Sequence, residues 1–183
     1  MIEQQTAALA LLVETMAATG VAPDSTSLEK FSGALAKLFD AAPDEAAILV
    51  IDPKSKNLKF VIPEKLASVG SIPLSSTNAL AARTARERRA EVVNKFTSSR
   101  HATVFEGVPL GRRQGELIQK IMSAPILLDK KVVGVIQISR KGASPSEAGP
   151  DFVPQQLRDL KNISDTLAPC IPLCAKETEL QGS

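Results

Sequence analysis

The sequence predicts an α+β fold, a β-sheet with a central hairpin and helices behind it, and three observations carry that prediction. Residues 121–140 read as two strands around a polar turn: the β-branched run 132–138 favours extended backbone, and Asp129-Lys130-Lys131 interrupts it where the chain must reverse. On the second of these strands Val132, Gly134, Ile136 and Ile138 point one way and Val133, Val135, Gln137 and Ser139 the other, because side chains alternate with period two. One face is apolar to its end while the opposite face turns polar, as expected of a central strand with helices behind it and a wetter space in front. Third, the element order runs helix, helix, strand, strand, capped helix, short strand, long connection, hairpin, final helix.

The first helix spans residues 2–19, with Leu9, Leu12 and Met16 at helical spacing beside Ala8, Leu11 and Thr15, and Gly20 and Pro23 end it. Thr26-Ser27-Leu28-Glu29 has capping-box spacing, and Leu28, Phe31, Leu35, Leu38 and Phe39 mark one face of a second helix. Both helices are amphipathic enough to pack on the sheet, and the Ala-rich first one also suits pairing with its copy in a dimer. Residues 46–51 are apolar on both faces, as in an inner strand, and the turn formers at 52–57 lead to Leu58, Phe60 and Ile62 alternating with Lys59 and Val61. Pro63, Gly70 and Pro73 punctuate a short irregular stretch. Residues 75–78 are four consecutive cap-type residues before a helical run at 79–89, and residues 91–94 read as a short third strand.

Periodicity fades from 95 to 119, apart from one expected helical turn around Glu116-Leu117-Ile118, and connections of this length in a small domain are usually functional covers. After the hairpin, residues 142–150 form a loop. Asp151 and Pro154 open a last helix with Val153, Leu157, Leu160, Ile163 and Leu167 inward, which Pro169 and Pro172 close.

The chain has 183 residues, of which 44% are hydrophobic and 23% charged, enough for one well-filled domain. The division read here is a helix and linker at 1–24, a domain at 25–170, and a tail at 171–183 expected to be disordered. Net charge is +2, with nine Lys/Arg and four Glu within residues 83–120 and a balance of −3 elsewhere. That balance, with aromatic content of 3% and all of it Phe, speaks against a nucleic-acid partner. Cys170 and Cys174 lie close together and do not form the spread framework of a secreted disulfide protein, so a reducing, cytoplasmic setting is expected. The longest early apolar run, 7–13, is too short to span a bilayer, and no membrane partner is expected.

Three passages resemble a GAF domain, the small-molecule sensor module related to PAS: Ala47-Ile-Leu-Val-Ile-Asp52, Ile72-Pro-Leu-Ser-Ser-Thr-Asn-Ala-Leu-Ala-Ala-Arg83, and 122–140 with its Val-Val-Gly-Val-Ile. The resemblance covers about residues 25–170. It implies a GAF-like α+β fold, a central antiparallel β-sheet of five to six strands with helices packed on one face and a ligand on the other under the long connection, which puts residues 75–120 around a cavity. Cyclic-nucleotide-binding members carry Asn-Lys, then Phe, then Asp-Glu after the last strand. This chain has Arg140-Lys141, Phe152 and Gln156-Leu157, keeping only the Lys and the Phe. Bilin-binding members bring a Cys and a His to the cavity, and the methionine-sulfoxide reductases of this fold use cysteines in the mid-chain connection. Here both cysteines lie far downstream and His101 is the sole histidine.

Ser75, Ser76 and Thr77 can offer hydroxyls and backbone N–H groups to an anion at a helix N-terminus, or simply cap that helix. Arg83, Arg86, Arg88 and Arg89 read as a solvated charged face before a phosphate patch. Arg100 and His101 on the connection suit a carboxylate or phosphate, with a surface role as the plainer reading. Gln137 and Ser139 are the polar groups of the wetter sheet face. Cys170 and Cys174 alone are too few ligands for a zinc site, and no nucleophile, base and orienter stand together. The expectation is a non-enzymatic sensory or regulatory domain, without cofactor or metal, that binds a small polar or anionic metabolite through Ser75, Ser76, Thr77, Arg100, His101, Gln137 and Ser139. It would act in signal transduction as a homodimer through its helices, with a separate output protein. The alternative is a ligand-free dimerisation or protein-interaction module.

Overall fold

The computed structural model describes residues 2–68, 70–96 and 117–180. Six strands, β1 (Ala46–Asp52), β2 (Asn57–Ile62), β3 (Ser71–Pro73), β4 (Glu91–Val93), β5 (Leu117–Leu128) and β6 (Lys131–Gly142), form one sheet in the order β3-β2-β1-β6-β5-β4. Each neighbouring pair is antiparallel. The hairpin strand read as central is central: β6 pairs with β1 on one side and β5 on the other. The sixth strand, β3, comes from the stretch read as irregular, where Ser71 and Pro73 pair with Lys59 and Asn57 of β2. β5 begins at Leu117, so the helical turn expected around Glu116-Leu117-Ile118 is strand at 117 and 118 instead, because Ile118 pairs with Lys141 across the ladder.

The helices are α1 (Ile2–Thr19), α2 (Ser25–Leu38), α3 (Glu64–Ala67), α4 (Leu80–Glu87), α5 (Pro154–Leu167) and α6 (Ile171–Leu180). On one face of the sheet Ile48, Val50, Met122, Ala124, Ile126, Ile136 and Ile138 pack against Leu9 and Val13 of α1, Phe31 and Leu35 of α2, and Leu160, Ile163 and Leu167 of α5. This is the helical layer. The sequence periodicity placed Leu9 of α1, Phe31 and Leu35 of α2, Ile136 and Ile138 of β6 and the α5 row correctly, and missed Val13. Leu11 is 65% exposed on α1, and Val153, expected to face inward, is 49% exposed because it is the residue before α5 rather than within it. Its amide instead donates to the Gln156 side chain at 3.0 Å.

Three local expectations change. The α2 cap is Asp24, whose carboxylate accepts from Ser27 N at 2.8 Å; these Ser27 hydrogen bonds hold its carboxyl below the usual range. Residues 171–180, expected as a disordered tail, form α6, and Ile171 is buried in the core. Pro172 does not close the preceding helix, because it occupies the first turn of a new one, where a missing N–H is no loss. Finally, the β5–β6 register shifts between Ile126 and Leu127. This bulge lets Val133 pack with the helical layer and Val132 with the opposite cluster, the reverse of strict alternation for these two residues.

Gly134 marks the tightest point of the platform. A Cβ there would lie 2.4 Å from the Leu49 carbonyl oxygen and 3.1 Å from Ile171 Cγ2. The missing side chain lets β1 pair closely and α6 settle on the strand. Among the described residues, no helix is long and apolar enough to cross a membrane.

Candidate functional site

The face of the sheet away from α1, α2 and α5 is where polar side chains gather. Here α4 lies across β5 and β6, packing Ala81, Ala82 and Ala85 beside Leu49, Leu58, Phe60, Ile72 and Val135. Alanines bring the helix backbone close to the strands. A second small cluster, Leu80, Phe96, Ile118 and Ile121, continues toward β4. Between these apolar groups sits a chain of neutral polar ones. Thr84 Oγ1 and Ser123 Oγ share a hydrogen bond of 2.7 Å, and Gln137 Nε2 donates to Ser123 Oγ at 3.1 Å. The three are 1%, 0% and 5% exposed.

The strand register explains why they meet. Ser123 stands directly opposite Gln137 on β6 and opposite Glu91 on β4, so period-two alternation puts all three on the same face. Ser139 shares that face, opposite Ile121, and donates to the Glu45 carbonyl at 3.3 Å. At the edge Arg83 binds Glu91 Oε1 through Nε (3.1 Å) and Nη2 (2.7 Å), a half-buried ion pair joining α4 to β4.

Gln137 and Ser139 therefore lie on the polar face, as read from the sequence, but both are buried. Ser75 and Thr77 are exposed and Ser76 half-buried. None of the three caps α4: its N-cap is Ala79, with no side-chain cap bond. Ala79 offers no side-chain acceptor, and Arg86 folds back so that Nη1 donates to the Leu74 carbonyl and, at 2.7 Å, to that of Ser76. Residues 74–76 thus form a turn tied to α4 from outside, with Ser76 N donating to Pro73 O at 2.9 Å. Arg86, Arg88 and Arg89 are exposed, as expected of a solvated charged face, and Arg86 and Arg88 also engage backbone, Arg88 donating to the Lys130 carbonyl of the hairpin turn. Arg100 and His101 lie outside the described residues.

Thr84 and Ser123 escaped the sequence reading. Ser123 carries a faint signal, a lone hydroxyl inside the apolar run Ile121-Met-Ser-Ala124; Thr84 carries less, a single polar residue on an Ala-rich helical face. A hydroxyl can donate or accept and a carboxamide can do both, so the row can satisfy its own hydrogen bonds without a charged partner. Among the described residues no cluster of His, Cys, Asp or Glu is placed to hold a metal ion. Cys170 is buried and donates to the Val13 carbonyl at 3.1 Å; burial pushes its thiol pKa up, which disfavours the reactive thiolate.

A six-stranded antiparallel sheet with a helical layer on one face and a helix-covered opposite face carrying a polar row defines an α+β module. The particular family follows: the GAF domain model matches residues 25–171, and the chain belongs to the GAF domain family. Among solved structures, the GAF domain of the Acinetobacter phosphoenolpyruvate-protein phosphotransferase aligns with a TM-score of 0.60 at 17% identity, over 88% of this chain and 90% of that one. The corresponding domain from Coxiella burnetii aligns with a TM-score of 0.59 at 12% identity, over 97% and 98%. The free methionine-R-sulfoxide reductase of Neisseria meningitidis, in complex with its substrate, aligns with a TM-score of 0.56 at 12% identity, over 94% and 93%. At these identities the likeness is one of fold. No curated protein matches the sequence closely enough to stand as a relative.

Proposed function

We propose that this chain is a non-enzymatic sensory or regulatory domain that binds a small polar or anionic metabolite on the sheet face carrying Ser123, Gln137 and Ser139. The observation that carries the reading is the convergence of Thr84, Ser123 and Gln137 from three separate elements onto one buried face. A face that served only to pack α4 would be more stable with apolar side chains, since each buried polar group must recover the hydrogen bonds it gave up in water. The Neisseria enzyme, whose structure includes its substrate, supports the use of this fold as a receptacle. Its chemistry does not carry over, because both cysteines of this chain, Cys170 and Cys174, lie beyond the sheet. In this reading the domain is cytoplasmic, works as a homodimer through α1 and α5, and hands its signal to a separate output protein.

The test is thermal shift and calorimetry on the full chain against a broad metabolite panel, with Gln137→Leu alongside. At least one compound is expected to raise the Tm of the wild type and not of Q137L. A panel that stabilises neither protein overturns the reading.

A second reading, a ligand-free dimerisation or interaction module, is favoured by one observation: Leu11 is 65% exposed on a helix whose outer side also carries exposed Ala7, Ala8 and Ala18. Sedimentation of wild type and Leu11→Lys separates the readings. A dimer abolished by L11K, together with a silent ligand panel, would establish the second.

A further inference from the structure

Asn94 stands where β4 ends and the long connection begins, and its carboxamide is engaged far away in the sequence. Nδ2 donates to the Phe152 carbonyl at 3.0 Å and Oδ1 accepts from the Phe152 amide at 2.9 Å, across 58 residues. A side chain that takes both backbone groups of one residue fixes its position and its direction together. Phe152 is held from two further sides. The Arg140 guanidinium lies 4.6 Å above its ring, and the neighbouring Asp151 pairs with buried Lys120 at 2.8 Å, whose ammonium also donates to Gly149 O at 2.6 Å. Two residues after Phe152, α5 begins.

The other end of the arrangement is equally fixed. Two residues after Asn94, the Phe96 amide donates to Gln119 O on β5 at 3.0 Å, and the Phe96 ring is buried with Leu80, Ile118 and Ile121 beside α4. Phe96 is therefore an anchor of the polar-face side, and Phe152 an anchor of the helical layer. We infer that Asn94 is a positioning residue that couples these two anchors, so that displacement at the entry to the connection is passed to the first turn of α5, and the reverse. The short span leaves little slack, since Asn has two rotatable side-chain bonds and both of its polar groups are engaged. The coupling deepens the sensory reading by giving it a route from site to helix, but it exists whether or not a ligand does.

The experiment needs no ligand, so its failure is distinct from failure of the metabolite panel. Amide hydrogen exchange is followed by NMR on the full chain for wild type, Asn94→Ala, Gln156→Ala and the double variant, with the Ile136 amide on β6 reporting global opening. Q156A removes the acceptor of the Val153 amide and loosens the start of α5 without touching Phe96. The expected result is a several-fold rise in Phe96 amide exchange, relative to Ile136, on adding Q156A to the wild type, and no such rise on adding it to N94A. Asn94→Asp, which keeps the acceptor for Phe152 N and loses the donor, is expected to show a smaller rise than wild type and serves also if N94A folds poorly. An unchanged Phe96 rate in Q156A, or an equal rise with and without the Asn94 carboxamide, overturns the inference.

Discussion

On one face of the sheet Ile48, Ile136 and Ile138 meet Leu9, Phe31 and Leu160 in a layer built almost wholly of large apolar side chains; on the other face, the same strands present Ser123, Gln137 and Ser139 beneath the alanines of α4. The chemistry differs because the demands differ. Branched side chains at native packing density make the first face rigid and intolerant of lost volume. The second face combines apolar clusters around Leu49, Phe60 and Phe96 with a row of hydrogen-bonded hydroxyl and carboxamide side chains. The lesson is a difference within one sheet: an apolar platform behind, and a buried row of hydrogen-bonded polar side chains in front.

The sharpest way to break this comparison is to cut into each face in turn. Ile136→Ala removes a fully buried side chain from the platform and is expected to cost about 2–5 kcal/mol in denaturant unfolding, since the surrounding layer relaxes only in part. A loss below 1 kcal/mol would mean that the helical layer is loosely packed. On the polar face, Ser123→Ala strands the Thr84 hydroxyl and the Gln137 amide at once and is expected to cost about 1–3 kcal/mol. The triple variant T84V/S123A/Q137L removes all three polar partners and is expected to recover most of that loss, because no polar group is left unsatisfied. If the triple is no more stable than S123A, the polar row is a structural device rather than a surface kept for a ligand.

The smallest effect belongs to neither face. Asp52 closes the β1–β2 turn, where Lys59 first, then the Lys54 amide and the Ser55 hydroxyl, hold its carboxyl far below the usual carboxylate range. A depressed carboxyl pKa adds stability that is fully present above the unfolded value of about 4 and fades as pH falls toward the folded one. Asp52→Asn is therefore expected to lower the Tm slightly at pH 7, by a fraction of what the core variants do, because the pair with Lys59 lies at a partly exposed, solvent-screened turn. The gap should close in acid, below about pH 4. A gap that widens on acidification would contradict the assigned hydrogen bonds.

The hairpin was legible because its signal is local: a β-branched run, a polar break and a second apolar strand leave one arrangement. Its central place was legible too, since Val135 and Ile136 are apolar on opposite sides. The cap of α4 was not. Four cap-type residues at 75–78 suggest a helix start, yet Arg86 engages the carbonyls of that turn and the helix opens at Ala79. Nor was the fate of Pro172, because a proline that ends one helix and a proline in the first turn of the next look the same in sequence.

The sequence by itself determined the fold class, through the order of its elements, and the central hairpin, the apolar rows of α2 and α5 and the presence of Gln137 and Ser139 on the opposite side, through periodicity within short segments. Only the tertiary structure decided that Thr84 and Ser123, 39 residues apart, would share a hydrogen bond, and that Asn94 would hold Phe152. Those pairings depend on strand register and on where α4 and α5 come to rest. Neither is encoded in any local pattern, because they are set by how all the layers close at once.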